Sequence, residues 1–277
     1  MAILIALDAG HGSNTAGKRT PKLKKDTDLA KKGEQLREHV ASVWVCNFAK
    51  AYLEKYGFEV MRTAWNDTNA RDDPDVPLID RQNAIRKAGA VVSVSCHFNA
   101  HGNGNVFTDA AGIETFISDT DKKLKRSKAL ATAIQERLKK LGRKDRGVKR
   151  GDLAMCNADY MKTEGSVLVE LGFMTNESEA VLMGSKKYLK DCGHFIALGI
   201  YDFLCKKPKA DIDTKTATRE EIMWLQVKLN LKGYQTPTTG KWDEDLINSI
   251  KAFWKDTKER ECTGKVVKAE CIKLLSM

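Results

Sequence analysis

The sequence predicts an α/β domain, with a mainly parallel sheet flanked by helices, followed by a small three-helix domain. Short apolar runs of strand length alternate with segments whose apolar residues recur at helical spacing as far as about residue 204. A polar segment that contains a proline then follows at residues 207–213. We therefore divide the chain into a first domain at 1–206, a linker at 207–213 and a second domain at 214–277.

The first domain begins with an apolar run at residues 3–7, which leads into Asp-Ala-Gly-His-Gly. This pattern is typical of a buried strand that ends in a tight glycine turn. Residues 13–37 are polar, rich in lysine and without periodicity, and so predict a surface loop. Helical spacing of apolar residues from Val40 to Tyr56 predicts a helix that Gly57 ends.

The rest of the chain is interpreted by the same patterns. Further strands are predicted at 58–63, 90–98, 113–117 and 166–171, and further helices at 78–88, 122–141 and 178–204. A loop rich in glycine and asparagine covers 99–112. The three helices of the second domain are predicted from Ile222, Leu225 and Leu229, from Leu246, Ile250 and Phe253, and from Cys271, Leu274 and Leu275.

Charge and composition narrow the class of protein. Hydrophobic residues make up 42% of the 277 residues, enough for a sizeable core, and the net charge is +10. A basic protein is attracted to polyanions such as a teichoic-acid-bearing wall, although a simply solvated basic surface is an equally open interpretation. Lysines alternate with carboxylates along the chain, which argues against a nucleic-acid-binding stripe.

The cysteines and the N-terminal segment indicate in which cellular compartment the protein is made. The seven cysteines are odd in number and form no Cys-x-x-Cys pair, so we expect reduced, mostly buried thiols. The apolar start lacks a basic region and a cleavage site, so we interpret it as a strand and expect no signal peptide. No apolar run approaches transmembrane length, and membrane insertion is not expected.

Three polar side chains stand at the ends of predicted strands. His11 follows the first strand, His97 ends the strand at 90–98, and Glu170 ends the strand at 166–171. Functional sites of open α/β sheets gather at the carboxyl ends of strands, where these groups would meet. A hydrolytic zinc commonly uses two histidines and a glutamate, with a further carboxylate as general base. The alternative is a hydrogen-bonded surface histidine in each case and a structural ion pair for Glu170.

The motifs around these residues resemble a known family. The sequences Asp-Ala-Gly-His-Gly at 8–12, Ser-x-x-Cys-His-Phe-Asn-Ala at 93–100 and Val-Leu-Val-Glu-Leu-Gly-Phe-Met-Thr-Asn at 167–176 are similar to those of zinc N-acetylmuramoyl-L-alanine amidases of the amidase-3 type. Leu-Ile-Asp-Arg at 78–81 and Arg-Gly-Val-Lys at 146–149 match as well. The resemblance covers about residues 2–204.

The resemblance implies a Zn²⁺ ion bound by His11, Glu38 and His97, with Glu170 as the catalytic carboxylate. The family places its glutamate ligand nineteen residues before the glycine that ends the first helix, which selects Glu38. Glu34, one turn earlier, is the competing assignment, and His101 is interpreted as a loop residue. The implied reaction is hydrolysis of the amide between N-acetylmuramic acid and L-alanine in peptidoglycan. Met61-Arg62-Thr63 departs from the family's usual Thr-Arg.

The second domain resembles the three-helix peptidoglycan-binding domains through its Gly-Tyr at 233–234 and its two Thr-Gly-Lys sequences at 239–241 and 263–265. The aromatic side chains of Tyr234, Trp242 and Trp254 either stack on sugars or only fill the core. A wall-binding tail without a signal peptide suggests a phage endolysin that stays in the host cytoplasm until lysis and then acts on the cell wall. A bacterial autolysin and another zinc peptidase of the wall are the alternatives.

Overall fold

A computed structural model describes residues 1–66, 70–122, 124–258 and 262–277 of the chain. These residues divide into two compact units. The large unit comprises Leu4–Tyr52 and Val60–Ile200, and the small unit comprises Met1–Ile3, Leu53–Glu59 and Tyr201–Met277. Among the helices of the described segments, none combines the length and apolarity that crossing a membrane requires.

The large unit is built on a six-stranded sheet with the strand order β2-β1-β3-β6-β4-β5. The strands are β1 Leu4–Ala9, β2 Glu59–Thr63, β3 Val92–Asn99, β4 Ile113–Ser118, β5 Asp145–Gly151 and β6 Gly165–Phe173. Strand β3 runs parallel to both β1 and β6, and β4 is parallel to β5 but antiparallel to β6. The sheet is thus mixed and mostly parallel, and the predicted α/β class is confirmed.

Helices flank this sheet. They are α1 Glu38–Lys55, α2 Leu78–Ala88, α3 Leu124–Leu138, α4 Ala158–Met161, α5 Glu177–Met183 and α6 Lys186–Leu204. Helix α6 packs closely on its neighbours, because a Cβ atom at Gly193 would lie 2.7 Å from the backbone of α1 and one at Gly199 would lie 2.5 Å from Ile134 of α3. A separate apolar cluster joins Ala6 of β1 to Ile85 of α2 and Met161 of α4.

The predicted elements differ from the observed ones at several places, and helix α4 and the two-residue strands at Ile212–Asp213 and Val266–Val267 were not predicted. The helix expected at 122–141 is α3 followed by a 3-10 turn at Lys139–Leu141, and its residue 123 lies outside the described residues. The helix expected at 178–204 is divided into α5 and α6. Strand β5 was not predicted, because an edge strand that pairs only with β4 needs no apolar run, and its sequence is Asp-Arg-Gly-Val-Lys-Arg-Gly.

The small unit contains helices α7 Arg219–Leu231, α8 Glu244–Lys258 and α9 Ala269–Ser276, at the three positions that the apolar spacing predicts. A capping box between Thr218 and Glu221 begins α7, since each side chain accepts from the other's backbone amide. Its core is formed by apolar residues from all three helices, namely Trp224, Leu225, Leu229, Leu246, Ile250, Phe253, Cys271, Ile272 and Leu275.

The small unit is not continuous in sequence. Strand β7 Ile212–Asp213, at the end of the predicted linker, pairs antiparallel with β8 Val266–Val267. The carbonyl of Tyr56, at the end of α1, accepts hydrogen bonds from Asn230 Nδ2 at 3.1 Å and from Thr238 Oγ1 at 2.7 Å. The backbone N–H of Thr238 also donates to the carbonyl of Gly57.

All seven cysteines are free thiols, and each except Cys262 is buried. Burial raises the pKa of the Cys156 thiol to about 12 and that of Cys205 even further. Because the thiolate is the reactive form, buried thiols with raised pKa values behave as small apolar core residues.

Candidate metal centre and active site

Three side chains from separate elements meet at the carboxyl ends of β1 and β3. His11, Glu38 and His97 each offer one ligand atom, and these atoms all lie within 4.8 Å of one another. The Oε1 atom of Glu38 lies 3.0 Å from Nδ1 of His97, and Oε2 lies 3.3 Å from Nε2 of His11. In the described segments this is the one His/Cys/Asp/Glu group close enough to hold a metal ion.

The turn after β1 brings His11 to this point. His11 has a φ of 61°, a left-handed conformation that is uncommon for a residue with a side chain and often marks a functional site. The neighbouring Gly10 allows the two histidines to approach, because a Cβ atom there would lie 2.3 Å from the imidazole of His97. The glycine of the motif is therefore required by the ring that packs on it.

Glu38 is the first residue of α1 and only 1% exposed. Its Oε1 atom accepts a hydrogen bond from the Phe98 amide at 3.0 Å, whereas no described residue donates a hydrogen bond to its buried Oε2. A buried carboxylate oxygen without a donor is costly unless a cation lies beside it. Burial alone would raise the pKa of Glu38, but His11 and His97 hold it well below its usual range.

Glu34, the competing assignment, lies apart from this group. Its side chain is exposed and accepts a hydrogen bond from the amide of Lys31 at 2.8 Å. His101 is also exposed in its loop, and its backbone amide donates to Thr175 Oγ1. The structure therefore brings Glu38 together with the two histidines and leaves the other two candidates outside.

Glu170 lies on β6 beside these groups. It is the register partner of His97 on β3 and of Glu114 on β4. Burial raises the pKa of Glu170 to about 8, the carboxylates of Glu38 and Glu114 act in the same direction, and His97 and Lys18 oppose them. No described residue donates a hydrogen bond to its buried Oε2. An unpartnered carboxyl group with a pKa near neutral is suited to accept and return a proton.

Arg81 of α2 holds the turn that carries His11, a role that its motif alone did not indicate. Its guanidinium is 1% exposed and donates to Asp8 Oδ1 at 3.0 Å, to the Ala9 carbonyl at 2.8 Å and to the His11 carbonyl at 2.7 Å. It also pairs with Asp75 at 2.7 Å. One buried arginine thus secures the backbone on both sides of Gly10.

His39 is a further buried residue that the sequence patterns missed. Its Nδ1 atom lies 3.0 Å from the Gly10 carbonyl, and its Nε2 atom lies 3.2 Å from Asp73 Oδ2. In the sequence, only its position next to Glu38 indicates that His39 lies near the candidate metal centre. Both of its partners are distant in sequence, so the contact cannot be read from spacing.

A cavity of about 550 Å³ opens beside the candidate centre. Its polar side is formed by Asp8, His11, Asp75, Arg81 and His97, and its other walls are apolar. The apolar lining comes from Val76, Pro77, Leu78, Leu153, Ala154, Met155 and Leu168. Such a cavity can hold a substrate segment against the polar groups while excluding much of the water around it.

Comparison with known proteins identifies similar sequences and folds. The N-acetylmuramoyl-L-alanine amidase family matches residues 5–202. The endolysin of Bacillus phage SPP1 is 32% identical over 212 residues, which is 76% of this chain and 69% of that protein. The catalytic domain of CwlV, an N-acetylmuramoyl-L-alanine amidase of Bacillus (Paenibacillus) polymyxa, has a similar fold, with a TM-score of 0.55 at 23% identity over 73% of this chain and 98% of that one. An N-acetylmuramoyl-L-alanine amidase of Clostridium difficile superposes with a TM-score of 0.56 at 25% identity over 73% and 97% of the two chains.

Proposed function

We propose that this chain, which belongs to the N-acetylmuramoyl-L-alanine amidase family, is a zinc-dependent hydrolase with His11, Glu38 and His97 as metal ligands and Glu170 as general base. The chain is a peptidoglycan amidase by its family. The bond cleaved is the amide that joins N-acetylmuramic acid to the L-alanine of the stem peptide. The observation that carries the zinc assignment is the buried Glu38 carboxylate between two imidazoles, whose Oε1 lies 3.0 Å from Nδ1 of His97 and whose Oε2 lies 3.3 Å from Nε2 of His11 without a hydrogen bond.

The donor set fits zinc by its chemistry. Two imidazole nitrogens and one carboxylate are the ligands of many hydrolytic zinc sites, which keep a further position open. When bound, zinc polarises the scissile carbonyl and lowers the pKa of a bound water to about 7. The Glu38 carboxylate supplies the negative charge that the buried site needs, and its Oε2 has no donor of its own among the described residues.

The proton transfers fall to Glu170. Its unpartnered oxygen is free to take a proton from the attacking water and to return it to the nitrogen of the departing L-alanine. The register of Glu170 with His97 keeps this carboxylate next to the ligand group. Arg81 and His39 keep the ligand turn in place through the carbonyls of His11 and Gly10.

We expect the purified enzyme to contain one zinc ion and to release new L-alanine amino termini from peptidoglycan without new reducing ends. His97→Ala should lower bound zinc and abolish release, because two remaining ligands hold the ion poorly. Glu34→Ala should retain both zinc and activity, since this glutamate is exposed and outside the ligand group. Zinc is measured by elemental analysis of the folded variants.

Each alternative has its own signature in the same digest. New reducing ends would identify a glycosidase, and released D-amino acids or separated cross-links would identify another wall peptidase. Full zinc occupancy in folded His97→Ala would remove His97 from the ligand set. Loss of zinc in Glu34→Ala but not in Glu38→Ala would move the ligand by one helical turn.

A role in bacterial lysis is the biological part of the proposal. Its support is the similarity to the phage SPP1 endolysin, which extends over 76% of this chain. In this role the protein stays in the host cytoplasm and reaches the wall when the membrane is breached at lysis.

The small unit is proposed to bind the cell wall through a groove beside Tyr234. The groove has a volume of about 300 Å³ and is lined by Tyr234, Gln235, Asp245, Asn248, Ser249 and Ala252. The Tyr234 ring packs edge-on against Phe253, and its hydroxyl donates to Asp256 at 3.0 Å. An oriented aromatic ring surrounded by amide, hydroxyl and carboxylate groups suits a sugar. Trp242 is instead structural, because its Nε1 donates to the Gly264 carbonyl.

We expect Asn248→Ala to reduce the fraction of full-length protein that co-sediments with purified cell walls. The experiment uses a Glu170→Gln background so that the walls stay intact. Lys273→Ala, on an exposed position of α9, is the matched control and should sediment as the parent does. Equal sedimentation of all three proteins would leave the groove without a part in wall binding.

A further inference from the structure

A row of charged side chains extends from the candidate centre toward the edge of the sheet. His97 on β3 pairs in register with Glu170 on β6, and Glu170 pairs with Glu114 on β4. Register partners place their side chains on the same face of a sheet, about 5 Å apart. Glu114 therefore lies one strand beyond the catalytic carboxylate, on the side of β5.

Glu114 is the centre of a group that we call the Glu114 cluster, formed with Asn99, Arg146 and Lys149. Its Oε1 atom accepts from Asn99 Nδ2 at 2.6 Å. Its Oε2 atom accepts from Arg146 Nε at 2.8 Å and from Lys149 Nζ at 2.6 Å. Burial opposes ionisation, but the two cations hold the pKa of Glu114 below its usual value.

The Glu114 cluster carries more positive charge than its buried carboxylate requires. Glu114 is 2% exposed, whereas Arg146 is 27% and Lys149 is 39% exposed. Arg146 donates its hydrogen bond to Glu114 from Nε, and its Cζ atom lies 5.0 Å from the Phe173 ring centre. Among the described residues, Glu114 is the only acidic partner of either cation. The Glu114 cluster thus contains two partly exposed cations and one buried carboxylate.

We propose that Arg146 and Lys149 bind a carboxylate on the peptide part of the substrate, and that the enzyme therefore prefers stem peptides in which this carboxylate is free over those in which it is amidated. This inference rests on the proposed function. The leaving nitrogen receives its proton from Glu170, so the peptide departs on the side of that residue. Arg146 and Lys149 of β5, the two cations that pair with Glu114, lie in that direction.

The dimensions agree with this direction. Neighbouring strands are about 4.8 Å apart, so β5 lies roughly 10 Å from β6. A residue extends the chain by at most about 3.6 Å, so a carboxylate on the residue after L-alanine lies within roughly 7 Å of the leaving nitrogen. The side chains of Arg146 and Lys149 are long enough to span the remaining distance between β5 and this carboxylate. A fork of guanidinium donors beside an ammonium group is a favourable partner for a carboxylate.

The test compares two soluble muramyl peptides that differ only in that the carboxylate of the second residue is free or is a carboxamide. The measured quantity is the ratio of the two kcat/KM values. We expect a ratio of about 10 or more for the zinc-loaded wild type, as for loss of a charge-assisted hydrogen bond. Lys149→Met should lower the ratio toward one. Lys128→Met, which removes an exposed lysine of α3, should leave it unchanged.

Glu114→Gln separates substrate binding from a structural role. Removing the carboxylate frees both cations, so the ratio should rise above that of the wild type while Lys149→Met lowers it. A purely structural cluster would lower both kcat/KM values equally in both variants, and this result would overturn the inference. So would a wild-type ratio of one. A wild type that cleaves neither peptide while holding zinc would instead count against the proposed function.

Discussion

Glu170→Gln is expected to lower turnover on peptidoglycan by about 10²–10⁴-fold, which is the usual contribution of a positioned general base. Glutamine keeps the volume of the side chain but cannot take the proton from water. The buried Oε2 of Glu170 has no hydrogen-bond donor among the described residues, so the substitution breaks no observed contact of that atom. Turnover is measured by the release of L-alanine amino termini.

Two further measurements on this variant separate chemistry from structure. Zinc content and melting temperature should both stay near the wild-type values, because Glu170 lies outside the His11, Glu38 and His97 group. A variant that loses zinc would show that Glu170 is a ligand and that the base lies elsewhere. An active variant that melts much earlier would show that Glu170 only stabilises the fold.

Arg81→Met is expected to lower the free energy of unfolding by about 3–5 kcal/mol, the cost of leaving one member of a buried ion pair without its partner. Asp8 is 0% exposed and would lose its cation, although Thr63 and Ser95 would still donate to it. The carbonyl of His11 would lose its hydrogen bond to Arg81 as well, so bound zinc should also fall. Thermal melts and elemental analysis measure the two effects.

The matched control is Lys87→Met, at an exposed position of the same helix. It should change stability by no more than about 0.5 kcal/mol. Asp8→Asn should recover part of the loss when it is added to Arg81→Met, because it removes the unpaired buried charge. An Arg81→Met variant as stable as Lys87→Met would show that the ion pair contributes little.

The sequence predicted those elements whose formation depends on the pattern of neighbouring residues. Buried parallel strands need continuous apolar runs, and β1, β3 and β6 were therefore predicted close to their observed bounds. The residues at their ends meet because these three strands are neighbours in the sheet. Glu38 was predicted from the family spacing and from its place directly before the periodic apolar face, because a glutamate at the start of a helix is common and is not a signal by itself.

The features that were missed depend on contacts distant in sequence. The partners of Arg81 lie as many as 73 residues away, and Asp73 lies 34 residues from His39. Strand β5 has four charged residues, two glycines and a single apolar residue, Val148, so it shows no apolar run, and it pairs at the edge of the sheet. Periodicity within a short window contains no information about such pairings.

The discontinuous small unit has a consequence for how the protein is made and re-engineered. The Tyr56 carbonyl leaves the ribosome 174 residues before Asn230, its hydrogen-bond partner. At typical translation rates this delay is roughly 10–35 s, during which water must satisfy that end of α1. A chimera that exchanges the C-terminal region at the segment 207–213 would make this temporary state permanent. Such exchanges should therefore keep Asn230 and Thr238, or redesign residues 53–59 to match the incoming domain.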